Sequence, residues 1–234
     1  MALLDPPPDL SPRALVRWLG KAGWQDSAFA ALYYPWIEVI DPLTHRSLAV
    51  PPSGHIAGVW ARSDRSRGVH EPPEDEVLLG ASAPVRELSA EDRDNLAQVQ
   101  VNSVESVPNG LQVTGAQTLS SDPEWRYVNV RRLAIYIEES IAEGTQWAVH
   151  EPNEEPLRER VRQAASEFLA LTWREGLLAG TTAEQAFFVK CDAETNPPDV
   201  IESGRVVIEI GIAPVKPAEF VVFQVVTPRE GASA

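Results

Sequence analysis

Two long stretches carry apolar residues at three- and four-residue spacing, the period of a helix with one buried side. The first joins Val130, Leu133, Ala134, Ile137 and Ile141 and closes at Gly144. Asp122 before Pro123 is its expected start, an N-cap followed by proline at the first helical position. The second opens at Asn153, where Glu154, Glu155 and Pro156 suit the positive end of a helix dipole. Its stripe is Leu157, Val161, Ala164, Ala165, Phe168 and Leu171, and Gly176 stops it. Shorter helices are predicted from Ser11 to Gly20, from near Pro52 to about Arg65, and over Ala90 to Gln98. Thr181 and Glu184 have capping-box spacing for one further turn.

Between and after these lie extended segments. "AALYYPWIEVI" (30–40) reads as a buried strand broken by Pro35, and "LQVTGAQTL" as a strand entering the first long helix. The stretch 69–110 is weakly patterned, with turn signals at Pro108, Asn109 and Gly110. Near the end come "AFFVKCD" and then "RVVIEIG", which alternates Val206, Ile208 and Ile210 against Val207 and Glu209. After the proline-bearing "IAPVKPA" follows "EFVVFQVV" (219–226), apolar on both faces except for Gln224. Such a strand is either the central strand of a self-contained sheet or one that pairs with another chain. The pattern leaves both open.

Composition narrows the function classes. The 234 residues carry 20 basic and 34 acidic side chains, a formal charge of −14, and the basic residues are scattered. That disfavours nonspecific nucleic-acid binding, which needs clustered Lys and Arg. No apolar run approaches the roughly 20 residues of a membrane span, and "MALLDPPPDLS" does not read as a signal peptide. A single cysteine, Cys191, allows no internal disulfide and reads as a small buried residue. Trp125, Trp147 and Trp173 sit on or beside helix stripes and read as core or interface anchors.

Candidate chemistry centres on "VPPSGHIAGVWARSD" (50–64), which resembles the helix that follows the nucleophile in subtilisin-type proteases. The nucleophile's position is occupied by Val50, which has no hydroxyl, and Ser53 lies only two residues before His55. His45, His70 and His150 stand in no triad-like context. The expected reading is a helix whose Gly54, Ala57, Gly58 and Ala61 let it pack closely against a sheet. "EPPEDE" and "EPNEEP" read as solvated loops or helix starts, and no nucleotide-binding loop or metal motif occurs. No catalytic residue, cofactor or metal is predicted.

Several segments together resemble the C-terminal half of contractile tail sheath proteins. They are "ALYYPWIEVIDP" (31–42), "VPPSGHIAGVWARSDRSRGVHEPP" (50–73), "GAQTLSSDPEWRYVNVRRLAIYIEESIAEGTQWAVHEPNEEPLRERVR" (115–162), "AFFVKCD" (186–192) and "IEIGIAPVKPAEFVVFQV" (208–225). The resemblance implies an α/β fold: the remnant of a subtilisin-like sheath core (1–110), then a C-terminal sheath domain (111–218) with two long helices and a small strand-exchanged sheet, then an arm strand and tail (219–234). The family begins with an arm and a further domain half that this chain does not show, as a truncated or split subunit or a shortened paralogue would not.

The function implied is structural: a subunit that polymerises in six-fold rings around an inner tube and contracts to drive it through an envelope. A non-polymerising capping module is the alternative, and a degenerate serine hydrolase a distant one. The implied partners are other sheath subunits and the inner tube protein, with no nucleic acid and no membrane insertion. Assembly would be cytoplasmic, and the product part of a phage tail or injection particle. Strand exchange would fall on Val206, Ile208 and Ile210 of the domain's own strand and on Phe220, Val222, Phe223 and Val225 of the donated arm. "IAPVKPA" would be the linker, stiffened by Pro214 and Pro217. Inner-tube contact would fall on Arg158, Arg162 and Arg174, unless these arginines pair with Glu154, Glu155 and Glu159 within their own helix.

Overall fold

The computed structural model describes residues 1–22, 26–215 and 221–228. The chain divides into two compact units, Met1–Arg132 and Leu133–Ala234. In the first, the elements run β1 (Ala2–Leu4), α1 (Pro12–Ala22), β2 (Ala30–Tyr34), β3 (Ile37–Ile40), β4 (Ser47–Val50), α2 (Ser53–Arg67), β5 (Val77–Leu78), β6 (Ala81–Pro84), α3 (Ala90–Gln98), β7 (Val101–Val107) and β8 (Gly110–Thr114). The division falls inside α4 (Val128–Gly144). The second unit continues with α5 (Glu155–Arg174), α6 (Ala183–Ala186), β9 (Phe187–Lys190), α7 (Pro198–Glu202), β10 (Arg205–Ile212) and β11 (Val221–Pro228). This is the α/β class that the alternation of helical and strand periods predicts.

The first unit is built on a five-stranded sheet in the order β1-β2-β7-β8-β5. β1, β2 and β7 run parallel; β8 is antiparallel to β7, and β5 is antiparallel to β8. All five residues of β2 are buried, and alternation sends them to two cores. Ala31 and Tyr33 join Ile56, Val59 and Trp60 of α2, while Ala30, Leu32 and Tyr34 join Leu15 and Leu19 of α1 and Leu96 of α3. A separate antiparallel sheet, β4-β3-β6, follows the cis Tyr34–Pro35 bond that separates β2 from β3.

Several expectations are corrected here. Gly54, Ala57, Gly58 and Ala61 do not pack α2 against the sheet: they face solvent, and the buried side is Ile56, Val59, Trp60 and Ser63. The weakly patterned stretch contains β7, half of a hairpin with β8, with Gly110 paired to Val107. Its period was hidden because Asn102 and Ser103 are buried among the apolar positions. Asn102 is held inside by donating to the carbonyls of Leu32 (3.2 Å) and Gln117 (2.8 Å) and accepting from the Gln117 N–H (2.7 Å).

Asp122 caps only a 3-10 turn, Pro123–Trp125, and α4 starts at Val128. The intervening backbone is engaged elsewhere: Thr118 N–H donates to the Arg126 carbonyl and Val128 N–H to Ala116. A helix cannot propagate from Pro123 while those groups bond back to the strand connection. Helix α1 continues through Gly20 to Ala22, and the predicted capping box does not form: Thr182 is the N-cap of α6 without a side-chain cap, and Thr181 donates to Gln185 Oε1 instead. Gly176, at φ 86°, ends α5 as expected.

Candidate assembly interface

The second unit carries a three-stranded antiparallel sheet in the order β11-β10-β9. β10 is central. It pairs with β11 from Arg205↔Pro228 to Ile212↔Val221, and with β9 from Glu209↔Lys190 to Ile212↔Phe187. On one face lie Val206, Ile208, Ile210 and Ile212, all buried, with Phe223 opposite Ile210 and Val225 opposite Ile208, both also buried. Helix α5 packs against β9, α7 against β10, and the 3-10 helix Gln146–His150 against β11. Leu157, Val161, Ala165, Leu169 and Thr172 lie on the buried side of α5; of the stripe expected from spacing, Leu157, Val161 and Ala165 are buried, Ala164 and Phe168 are half-buried and Leu171 faces outward, while Leu169 and Thr172 are buried without having been expected.

The other face carries a polar row across all three strands: Lys190 opposite Glu209, and Glu209 opposite Gln224, which is exposed. Lys190 also pairs with Glu194, which raises its pKa, with further support from Asp192 and Glu209. Beside this row Phe188 lies opposite Gly211, and a Cβ at Gly211 would stand 2.1 Å from the Phe188 ring. Glycine here lets an aromatic ring cover the strand backbone.

β9 pairs only with the C-terminal half of β10, ending at Lys190 opposite Glu209, and two asparagines take its place beside the other half. Asn196, 2% exposed, accepts from the Val207 N–H (2.9 Å) and donates to the Val207 carbonyl (2.9 Å). Asn153 donates to the Arg205 carbonyl (2.8 Å). The side-chain amide of Asn196 thus presents the acceptor and donor that a neighbouring strand would present. Asn196 is itself set by a loop in which the Asp192 carboxylate accepts from the backbone of Thr195 and Glu194; those bonds depress the Asp192 pKa, that from Thr195 most.

Arg158 belongs to this network. It is 8% exposed and donates to the Asn153 carbonyl (3.2 Å), to Asn153 Oδ1 (3.1 Å) and to Glu155 (3.0 Å). Arg162, four residues on, is exposed and pairs with Glu159, so for Arg158 and Arg162 the within-helix pairing set against tube contact is the one that forms. The i,i+4 pair therefore does not present two guanidiniums on one surface: the first is turned inward. Arg174 is exposed in the last turn of α5. Cys191 is buried beside the network, and burial pushes its thiol up to about 11.

One anchor had no signal in the spacing. Arg160 binds Glu151 through both guanidinium nitrogens (2.9 and 2.8 Å) and lies 4.4 Å from the centre of the Trp147 ring. It fixes the 3-10 helix that supports β11 to α5, across a nine-residue separation that no helical period relates.

Of the predicted exchange residues, Val206, Ile208, Ile210, Phe223 and Val225 come together on one face of one hairpin. Val222 is opposite Gly211 in the register, and Phe220 lies outside the described residues. β11 pairs with β10 of its own chain, at the edge of the sheet.

Comparison with known proteins places these features. Residues 120–227 match the phage tail sheath C-terminal domain family. The tail sheath protein of Salmonella phage ViI is 27% identical over 195 residues, covering 81% of this chain and 30% of that protein. A chain of the anti-feeding prophage baseplate, symmetrised six-fold, superposes with TM-score 0.78 and 35% identity over 94% of this chain and 58% of its own. The sheath complex of an extracellular contractile injection system, PVC, in its contracted state gives TM-score 0.78 and 34% identity, over 95% and 62%. The chain is similar to contractile tail sheath proteins, and it spans less than half the length of the curated relatives it matches.

Proposed function

We propose that the chain is a structural subunit of a contractile sheath, assembling with copies of itself around an inner tube in a phage tail or extracellular injection particle, without enzymatic activity. The observation that carries this reading is the β10–β11 pairing. It is in register over eight residues, it lies at the sheet edge, and it sits at the end of the segment matching the sheath C-terminal domain.

The same ladder forms whether β11 comes from its own chain or from a neighbour, because backbone hydrogen bonds and the Ile208–Val225 and Ile210–Phe223 pairs are indifferent to the covalent connection. The connecting segment, residues 213–220, is longer than a tight hairpin turn and holds Pro214 and Pro217. Proline restricts φ and removes a backbone donor, which suits an extended connection able to reach a neighbouring chain. In a ring of subunits, Val206, Ile208 and Ile210 of one copy would receive Phe220, Val222, Phe223 and Val225 of the next, and the mesh would stay joined while rigid bodies move. Arg162 and Arg174 are the proposed contacts to the tube; Arg158, held inside, supports β10 instead.

Deletion of residues 219–234 tests this. Electron microscopy of the intact chain is expected to show rings or tubes, six-fold in projection, and the deleted chain none, with its helical circular dichroism retained. Unchanged polymers after deletion would refute exchange, and a stable monomer from the intact chain would favour a capping module. Reversing Arg162 and Arg174 to Glu should weaken capture of purified tube protein without altering self-assembly. Equal capture would remove them as tube contacts.

A further inference from the structure

The first unit exposes two features that the β9–β10–β11 sheet leaves unexplained. One is a projection. The β3–β4 hairpin presents Leu43 at 89% exposure in its connecting turn; Ile40, opposite Ser47, and Leu48, opposite Val39, are each more than half exposed, one on either face of the hairpin. The tip is nevertheless fixed. Asp41 accepts from the Leu43 N–H (2.9 Å) and the Thr44 hydroxyl (2.6 Å), its own N–H donates to the Arg46 carbonyl (2.9 Å), and its carbonyl accepts from His45 (2.8 Å). A leucine almost wholly in water at the apex of so short and well-bonded a hairpin marks a docking knob.

The other is a recess. A groove of 560 Å³ is lined by Gly54, His55, Gly58, Ala61, Arg62, Arg65 and Leu79. Nothing lies within 4 Å of where a Cβ would stand on Gly54 or Gly58, and Leu79 offers an apolar wall that is 69% exposed. The basic lining is set against a chain of net charge −14, and no carboxylate lines the groove. Arg62 is committed to Glu76 (3.0 Å) and the Val77 carbonyl (2.6 Å); Arg65 is exposed toward the solvent. No residue of the hairpin lines the groove of its own chain.

We propose that the hairpin tip of one copy, led by Leu43, seats in the α2 groove of a second copy of this chain. The leucine fills the recess over Gly58 against Leu79, and the Asp41 carboxylate at the base of the tip meets Arg65. The hydrogen bonds from Thr44 and Leu43 lower the Asp41 pKa and keep that carboxylate charged. Knob and groove are different surfaces of one molecule, so the contact is head-to-tail. It repeats from copy to copy without closing on itself as a two-fold contact would, the geometry of a ring or helix. This rests on the self-assembly reading above but not on strand exchange.

The test uses full-length chains carrying Leu43→Cys or Gly58→Cys, alone and mixed, treated with a short bismaleimide. The unsubstituted chain, whose Cys191 is buried, is the control. The mixture is expected to give a cross-linked dimer and neither chain alone should. Leu43→Asp should weaken self-association about tenfold to a hundredfold, the worth of one buried leucine. Polymers with no cross-link in the mixture would overturn the contact and spare the assembly reading. A cross-link without polymers would do the reverse, and the absence of both would overturn both. A product from Leu43→Cys alone, equal to that of the mixture, would overturn the head-to-tail geometry.

Discussion

Replacing Asn196 by alanine isolates the element that completes the central strand. The substitution removes the acceptor of the Val207 N–H and the donor to the Val207 carbonyl, both at 2.9 Å and both buried. No strand is present there to replace them, because β9 ends opposite Glu209. Each orphaned backbone group costs about 1–3 kcal/mol, and the freed side-chain entropy returns under about 1 kcal/mol. The expected loss is therefore about 2–5 kcal/mol, a large part of the roughly 5–15 kcal/mol that holds a typical domain. Urea unfolding read by hydrogen exchange at the Val207 amide reports on the second unit specifically. Asn196→Asp supplies an internal check. Its carboxylate keeps the acceptor for Val207 N–H but sets a second oxygen against the Val207 carbonyl, so only the protonated form can donate. The folded-state pKa of that aspartate must then lie above the ordinary value. Stability is present at low pH and lost as pH rises through the raised pKa, the opposite of a salt-bridged carboxylate. An alanine variant within about 0.5 kcal/mol of the parent, the scale of a neutral surface change, with unchanged Val207 exchange, would refute the assignment of Asn196 as a strand substitute.

Further expectations concern the same sheet. Gly211→Ala should displace the Phe188 ring and cost stability, whereas in a Phe188→Ala background it should stabilise by about 0.4–1 kcal/mol through the unfolded chain. Additive effects in the double-mutant cycle would sink the ring-over-glycine account. Burial pushes the Cys191 thiol up to about 11 from an ordinary thiol's 9.0. A raised pKa means that its contribution is intact below pH 9 and fades as pH climbs toward 11, because the unfolded thiol ionises first. Alkylation at pH 8 should be slow in the native chain and fast in denaturant; rapid native alkylation would contradict its burial.

Much of the candidate interface was legible before any coordinates. The stripe of α5, the limits of α3, the alternation of β10 and the pairing potential of 219–226 depend on neighbours a few residues apart, and local period records them. Burial by distant partners leaves no such record. β7 escaped notice because Asn102 and Ser103 are polar yet enclosed, the bonds of Asn102 going to Leu32 and Gln117 across the fold. Arg158 and Arg162 look equivalent on a helical wheel, but Asn153 draws one inward and leaves the other in solvent.

What the sequence by itself determined is which segments are helical or extended and which residues could form a ladder, since those follow from side-chain spacing, proline and capping chemistry within one element. The tertiary structure alone decided which side of α2 is buried, where α4 begins, and that β11 lies at a sheet edge against β10. Those outcomes turn on where remote backbone donors and acceptors find partners, and a hydrogen bond between residues far apart in the chain imposes no period on either of them.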